Sequence, residues 1–140
     1  LAQEKTFNYF ADIEGWGLTH NNKHLIMSDG TNKIYFLNPE TQKMERSINV
    51  YSDTNAISEL NELEWIDGKI WANIYQKNAV VIINPENGAV EAVINFSDLD
   101  AKIENKGKDV LNGIAYNPAT KTVFITGKDW DKMFEIKLKN

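Results

Sequence analysis

Few residues in this 140-residue chain could do chemistry, and most of them crowd one stretch. No cysteine is present, which excludes disulfides, thiolate metal sites and thiol nucleophiles and leaves the redox compartment undetermined. The two histidines, His20 and His24, flank a predicted turn, lack carboxylate or cysteine companions at metal-ligand spacing, and read as exposed. Between Leu60 and Gln76, by contrast, Asn61, Glu62, Glu64 and Asn73 sit among aromatic and aliphatic residues that a sheet buries. Buried carboxamides and carboxylates need named partners. A carboxamide both donates and accepts, so it can orient a polar substrate, and a carboxylate can move a proton. On a strand, Glu62 and Glu64 share one face and Asn61 takes the other; one of the glutamates could pair with Lys128. As an acid–base pair the two glutamates carry little specificity by themselves. Trp16 stands between Gly15 and Gly17, which either let its backbone approach a neighbour or ligand closely or relax a strand bend. Asn95, Phe96 and Ser97 fit a glycosylation acceptor, a motif too short to carry weight.

The elements that must hold these residues are strands. Leu63, Trp65 and Ile66 precede Asp67-Gly68, a strong hairpin signal, and Ile70, Ala72 and Ile74 alternate with Trp71, Asn73 and Tyr75 after it. Earlier in the chain, the aromatic run Lys5–Phe10 suits an edge strand, and strands are predicted at 24–28, 33–37 and 44–50, with turns at Asn21-Asn22, Asp29-Gly30 and 38–41. The same four-beat unit then recurs. Strands are predicted at 61–66, 70–75, 79–83 and 89–96, with Asn84-Pro85 where Asn38-Pro39 stood, and again at 112–116, 122–126 and 133–138. Trp16 to Asn61 is 45 positions, Pro39 to Pro85 is 46 and Asn61 to Asn112 is 51. These intervals are those of β-propeller blades, each of four antiparallel strands over about 40–50 residues. A short helix is predicted near 98–104, inside the charged interruption 97–109.

The fold class is therefore all-β, with about three propeller blades in one domain over 1–140. Residues 1–13 read as the outer strand of a preceding blade, 14–50 and 61–96 as blades, and 110–138 as an incomplete blade. About four to eight blades close a ring, so the chain is expected to be a fragment. Missing N-terminal blades or another copy would then cover the exposed blade faces. A net charge of -5 argues against a nucleic-acid groove or an anionic membrane surface as partner, since either favours a basic patch. The chain starts at Leu1 and has neither a secretory apolar segment nor a bilayer-length run. In a propeller each unit's first strand lines the central channel, so Trp16, Asn61 and Asn112 converge there, while Trp65, Trp71 and Trp130 read as aromatics packing blade on blade.

The segments 14–19, 60–64 with 70–76, 109–115, and 124–128 with 134–136 together resemble the plant and bacterial type of glutaminyl-peptide cyclotransferase, over nearly the whole chain and in order. The resemblance implies a five-bladed propeller that cyclises the N-terminal glutamine of a peptide to pyroglutamate, releases ammonia and needs no catalytic metal or other cofactor. It also implies a secreted or periplasmic location. By resemblance, Trp16 is an aromatic wall, Asn61 orients the substrate amide, and Lys128 is a channel lysine. Tyr75 stands where the family usually has tryptophan, keeping an aromatic face but adding a hydroxyl. The family's proton-shuttling glutamate belongs to an earlier blade, upstream of residue 1. Asn112 repeats Asn61 and joins the substrate-binding set. Two other classes remain open: a non-catalytic binding propeller, and a metal-dependent hydrolase propeller. The second would need axial carboxylates where this chain has Trp and Asn.

Overall fold

The computed structural model describes residues 1–104 and 110–138. Asp109, which opens one of the motifs above, lies outside the described residues. The first sheet is β1 (Leu18–His20), β2 (Leu25–Ser28), β3 (Lys33–Leu37) and β4 (Met44–Asn49), antiparallel and in that spatial order. A small hairpin of β5 (Tyr51–Ser52) and β6 (Asn55–Ala56), not anticipated from the sequence, leads to the second sheet. That sheet is β7 (Leu60–Ile66), β8 (Lys69–Ile74), β9 (Ala79–Ile83) and β10 (Val90–Asn95). The third is β11 (Leu111–Asn117), β12 (Thr122–Gly127) and β13 (Phe134–Ile136).

Local chemistry explains the punctuation. Asp67 and Gly68 both have positive φ, 47° and 82°, as the two-residue turn between β7 and β8 requires. The Asn38 side-chain oxygen accepts from the N–H groups of Glu40 and Thr41, and the Asn84 oxygen from that of Glu86, so each Asn-Pro pair closes its turn on itself. Between the second and third sheets a 3₁₀ helix covers Ser97–Lys102, where the sequence suggested a helix reaching residue 104. Phe96, buried in the core, anchors its start.

The apolar side chains form layers between sheets. Ile26, Ile34, Phe36, Ile48 and Val50 of the first unit meet Leu60, Leu63, Ile70, Ala72, Val81 and Ile83 of the second. The opposite face of the second sheet, with Ile66, Trp71 and Val80, meets Leu111, Ile114, Val123 and Ile125. Burying each such side chain contributes about 1.5–3 kcal/mol, so the contacts between sheets hold the sheets in a fan. Trp71 lies inside the second layer, and Trp65 and Trp130 are partly buried against the first and second respectively.

Among the described residues none pairs with Lys5–Phe10, the run read as the outer strand of a preceding blade. The segment packs by side chains instead, with the Phe10 ring 5.0 Å from Tyr35 and Ile13 against Met27, Tyr35 and Leu37. His20 is exposed as expected, but His24 is buried, its ring edge-on to Phe36 and its Nε2 2.9 Å from Glu45. Hydrogen bonds from Asn38 and from His24 hold the Glu45 carboxyl below the usual carboxylate range.

Candidate active site

The first strands of the three sheets lie side by side, with β7 against both β1 and β11. Each enters through the same irregularity. In β7, Leu60 pairs with Ile74 and Leu63 with Ala72, so Asn61 and Glu62 together face Asn73. In β11, Leu111 pairs with Gly127 and Ile114 with Ile125, so Asn112 and Gly113 face Thr126. At the entry to β1, Ser28 bonds through its N–H to Gly17 and through its carbonyl to Trp16. Trp16, Asn61 and Asn112 thus occupy equivalent positions at the head of three adjacent strands. A bulge turns such a residue out of the regular alternation, which is how a strand end aims a side chain at a site.

The residues facing these bulges fasten them. Ser28 Oγ accepts from the Gly17 N–H at 2.8 Å and donates to the Asn61 carbonyl at 2.6 Å, tying the first sheet to the second. Asn73, fully buried, repeats this: its Oδ1 accepts from the Glu62 N–H at 2.8 Å and its Nδ2 donates to the Leu111 carbonyl at 2.9 Å. Gly17 is required here, because a Cβ on it would lie 2.0 Å from the Asn61 oxygen.

Beside these entries stands an aromatic corner. The Trp16 and Tyr75 rings meet edge-on, centroids 5.5 Å apart and planes at 76°, and the Lys128 Nζ lies 5.8 Å from the Tyr75 centroid, within cation–π range. The indole rests on Gly30, where a Cβ would come within 2.6 Å of it. A backbone chain fixes the spacing: Glu59 donates to the Gly30 carbonyl and Tyr75 to the Glu59 carbonyl, each at 2.8 Å. Lys128 is held by its N–H on the Val110 carbonyl at 3.1 Å, just before β11.

The two glutamates serve the boundary between the second and third sheets. Glu64 accepts from the Tyr116 N–H at 2.9 Å and from the Thr19 hydroxyl at 3.4 Å, bridging three first strands. Glu62 also faces β11, where the Ile114 backbone N–H bonds to it, while its Oε2 is buried without a hydrogen-bond partner among the described residues. Burial pushes its carboxyl up to about 8, the nearby Glu64 charge adds to the shift and the Ile114 bond opposes it. The ion pairs among the described residues include none between either glutamate and Lys128, contrary to the sequence expectation; each glutamate takes a backbone N–H of β11 instead.

The structure thus gathers Trp16 and Lys128 around the Tyr75 ring and sets Asn61 and Asn112 on equivalent bulges. The Asn61 carboxamide makes no hydrogen bond among the described residues and is partly exposed. Asn73, flagged in the sequence as a buried carboxamide needing partners, has them; the bracketing role of Ser28 and the seat at Gly30 escaped the sequence reading. A signal existed for Ser28, since Ser28 and Asn73 are 45 positions apart, the same interval that separates Trp16 from Asn61.

Antiparallel sheets fanned so that their first strands adjoin, with aromatic and amide groups at the strand entries, are the architecture of a β-propeller. The β-propeller domain of Myceliophteria thermophila Cps50 superposes on 88% of the chain with a TM-score of 0.55 at 10% identity, a likeness of fold alone. The crystal structure of Myxococcus xanthus glutaminyl cyclase matches far better, with a TM-score of 0.90 and 35% identity over 97% of this chain and 59% of that one. In sequence the chain is 37% identical to Arabidopsis thaliana glutaminyl-peptide cyclotransferase over 142 residues, 99% of this chain and 44% of that protein. The family model for glutamine cyclotransferase matches residues 1–138, and the chain belongs to that family. It spans less than half the length of the Arabidopsis relative.

Proposed function

We propose that these residues form one side of the substrate pocket of a glutaminyl-peptide cyclotransferase. The neutral α-amine of an N-terminal glutamine attacks its own side-chain carboxamide carbon and gives up a proton; the new C–N bond closes the lactam, and the amide nitrogen takes a proton and leaves as ammonia. Trp16 and Tyr75 supply the wall against which the glutamine chain folds. Asn61, with its carboxamide uncommitted, pairs with the substrate amide and aligns its carbon for attack. Lys128 brings a positive charge beside the oxyanion that forms, and Asn112 extends the polar layer. The proton shuttle, by family resemblance, is a glutamate of an earlier blade.

The observation that carries this reading is the placement of Trp16 and Lys128 against the Tyr75 ring, next to the bulge that displays Asn61. The same reading expects further blades, or a second copy, over the outer face of the first sheet, where Leu18 is 62% exposed, and a secreted or periplasmic enzyme. The full-length gene product, incubated with a glutamine-initiated peptide, should release one ammonia per peptide by mass. An unchanged peptide would refute the activity.

A further inference from the structure

Glu62 has no part in the chemistry just proposed, yet it sits at its hinge. It is the second residue of the bulge that displays Asn61, and its N–H is held by Asn73, which is itself fixed to Leu111 of the next sheet. The corresponding positions in the neighbouring first strands are Gly17 and Gly113, so the repeat uses glycine where this strand puts a carboxyl. That carboxyl is packed toward β11 with one oxygen on the Ile114 N–H and Oε2 buried and unpartnered among the described residues. The groups around it offer no compensating charge. From its own strand comes Glu64, already committed to Tyr116 and to the Thr19 hydroxyl of β1; from β8 comes Asn73, whose amide holds the Glu62 N–H; from β11 comes the Ile114 N–H. Among the described residues no Lys, Arg or His forms an ion pair with it.

We propose that Glu62 is a positioning residue that works as an uncharged acid: neutral, it fits the joint between β7 and β11 and keeps the bulge in the shape that aims Asn61; ionised, it opens that joint and Asn61 moves with it. The inference rests on the amide-orienting role given to Asn61 above. Its physical basis is the cost of an unpaired charge on a carboxyl largely withdrawn from water, which opening the joint to water between the strands relieves. Burial and the Glu64 charge push the carboxyl up to about 8, so the change falls just above neutral pH. The device opposes the substrate's own titration, because the attacking α-amine becomes neutral over about the same range, roughly 7.7–8.0 in reference peptides.

The test uses the full-length gene product and two readouts. The side-chain amide resonances of Asn61, assigned with Asn61→Ala, are followed against pH in the native protein and in Glu62→Gln, whose neutral amide copies the shape of the acid. The kcat for pyroglutamate formation is measured over the same range. In the native protein the Asn61 resonances should shift with a midpoint near 8 and kcat should fall above it. In Glu62→Gln the resonances should stay fixed, kcat near neutral pH should lie within about twofold of native, and the alkaline fall should vanish. Asn61 resonances that ignore pH in the native protein, or that shift equally in Glu62→Gln, would overturn the proposal; so would a variant whose kcat is depressed at every pH. Should the native protein cyclise nothing, the proposed function fails while the resonance titration still decides the role of Glu62.

Discussion

Ser28 and Asn61 meet across the boundary between the first two sheets, the serine hydroxyl donating to the asparagine carbonyl at 2.6 Å. The bond belongs to the site as much as to the fold, because it fixes the backbone of the residue whose carboxamide is displayed. Asn73 makes the matching link one sheet further on.

These brackets should be costly to remove. Ser28→Ala leaves the Gly17 N–H unpaired and should destabilise by about 1–3 kcal/mol, and Asn73→Ala, which orphans both the Glu62 N–H and the Leu111 carbonyl, by about 2–4 kcal/mol. Denaturant midpoints read both losses. Equal costs of a few tenths of a kcal/mol would mean that water replaces the brackets freely.

Glu62 makes stability depend on pH in a defined direction. A carboxyl whose folded pKa is raised contributes its full stabilisation below its unfolded value, about 4.3, and loses it as pH rises toward 8. The native protein should therefore lose a few kcal/mol more than Glu62→Gln between those limits, in the order of magnitude that such a shift allows. Parallel stability profiles for the two proteins would contradict the raised pKa.

Tyr75 gives a substrate-wall test. Its edge-on contact with Trp16 survives an indole, so Tyr75→Trp should retain activity, while Tyr75→Ala removes stacking area from ground and transition states alike and should mainly raise KM. Unchanged kinetics in Tyr75→Ala would place the ring outside the pocket.

Gly30 tests the seat of the indole. Its φ is +79°, and a Cβ there would strike the Trp16 ring, so Gly30→Ala should cost about 1 kcal/mol or more and raise KM by displacing Trp16. Intrinsic fluorescence would report the displaced ring; an unaltered spectrum with native KM would show the seat to be dispensable.

The repeat was legible because each unit spends its turn residues at the same offsets: Asp67-Gly68 and the two Asn-Pro pairs sit where the structure turns. Strands 33–37 and 79–83 begin and end as the alternation predicts. The aromatic run at Lys5–Phe10 has no ladder among the described residues, since aromatic content makes a strand only where a partner edge exists. His24 read as exposed because its burial depends on Phe36 and Glu45, contacts made across the sheet. Glu62 was visible only as one of two alternating glutamates. Its difference from Glu64 comes from the bulge, which leaves one carboxyl with two donors and the other with an unpartnered oxygen. No local pattern encodes that difference.

The most direct test of the central claim is the kinetic effect of Asn61→Ala in the full-length gene product, with a glutamine-initiated peptide as substrate. A carboxamide that aligns the reacting amide should matter more as charge develops, so kcat should fall by about 10²-fold or more while KM changes by only a few fold. Native turnover by the Asn61→Ala protein would remove Asn61 from the site and contradict the account.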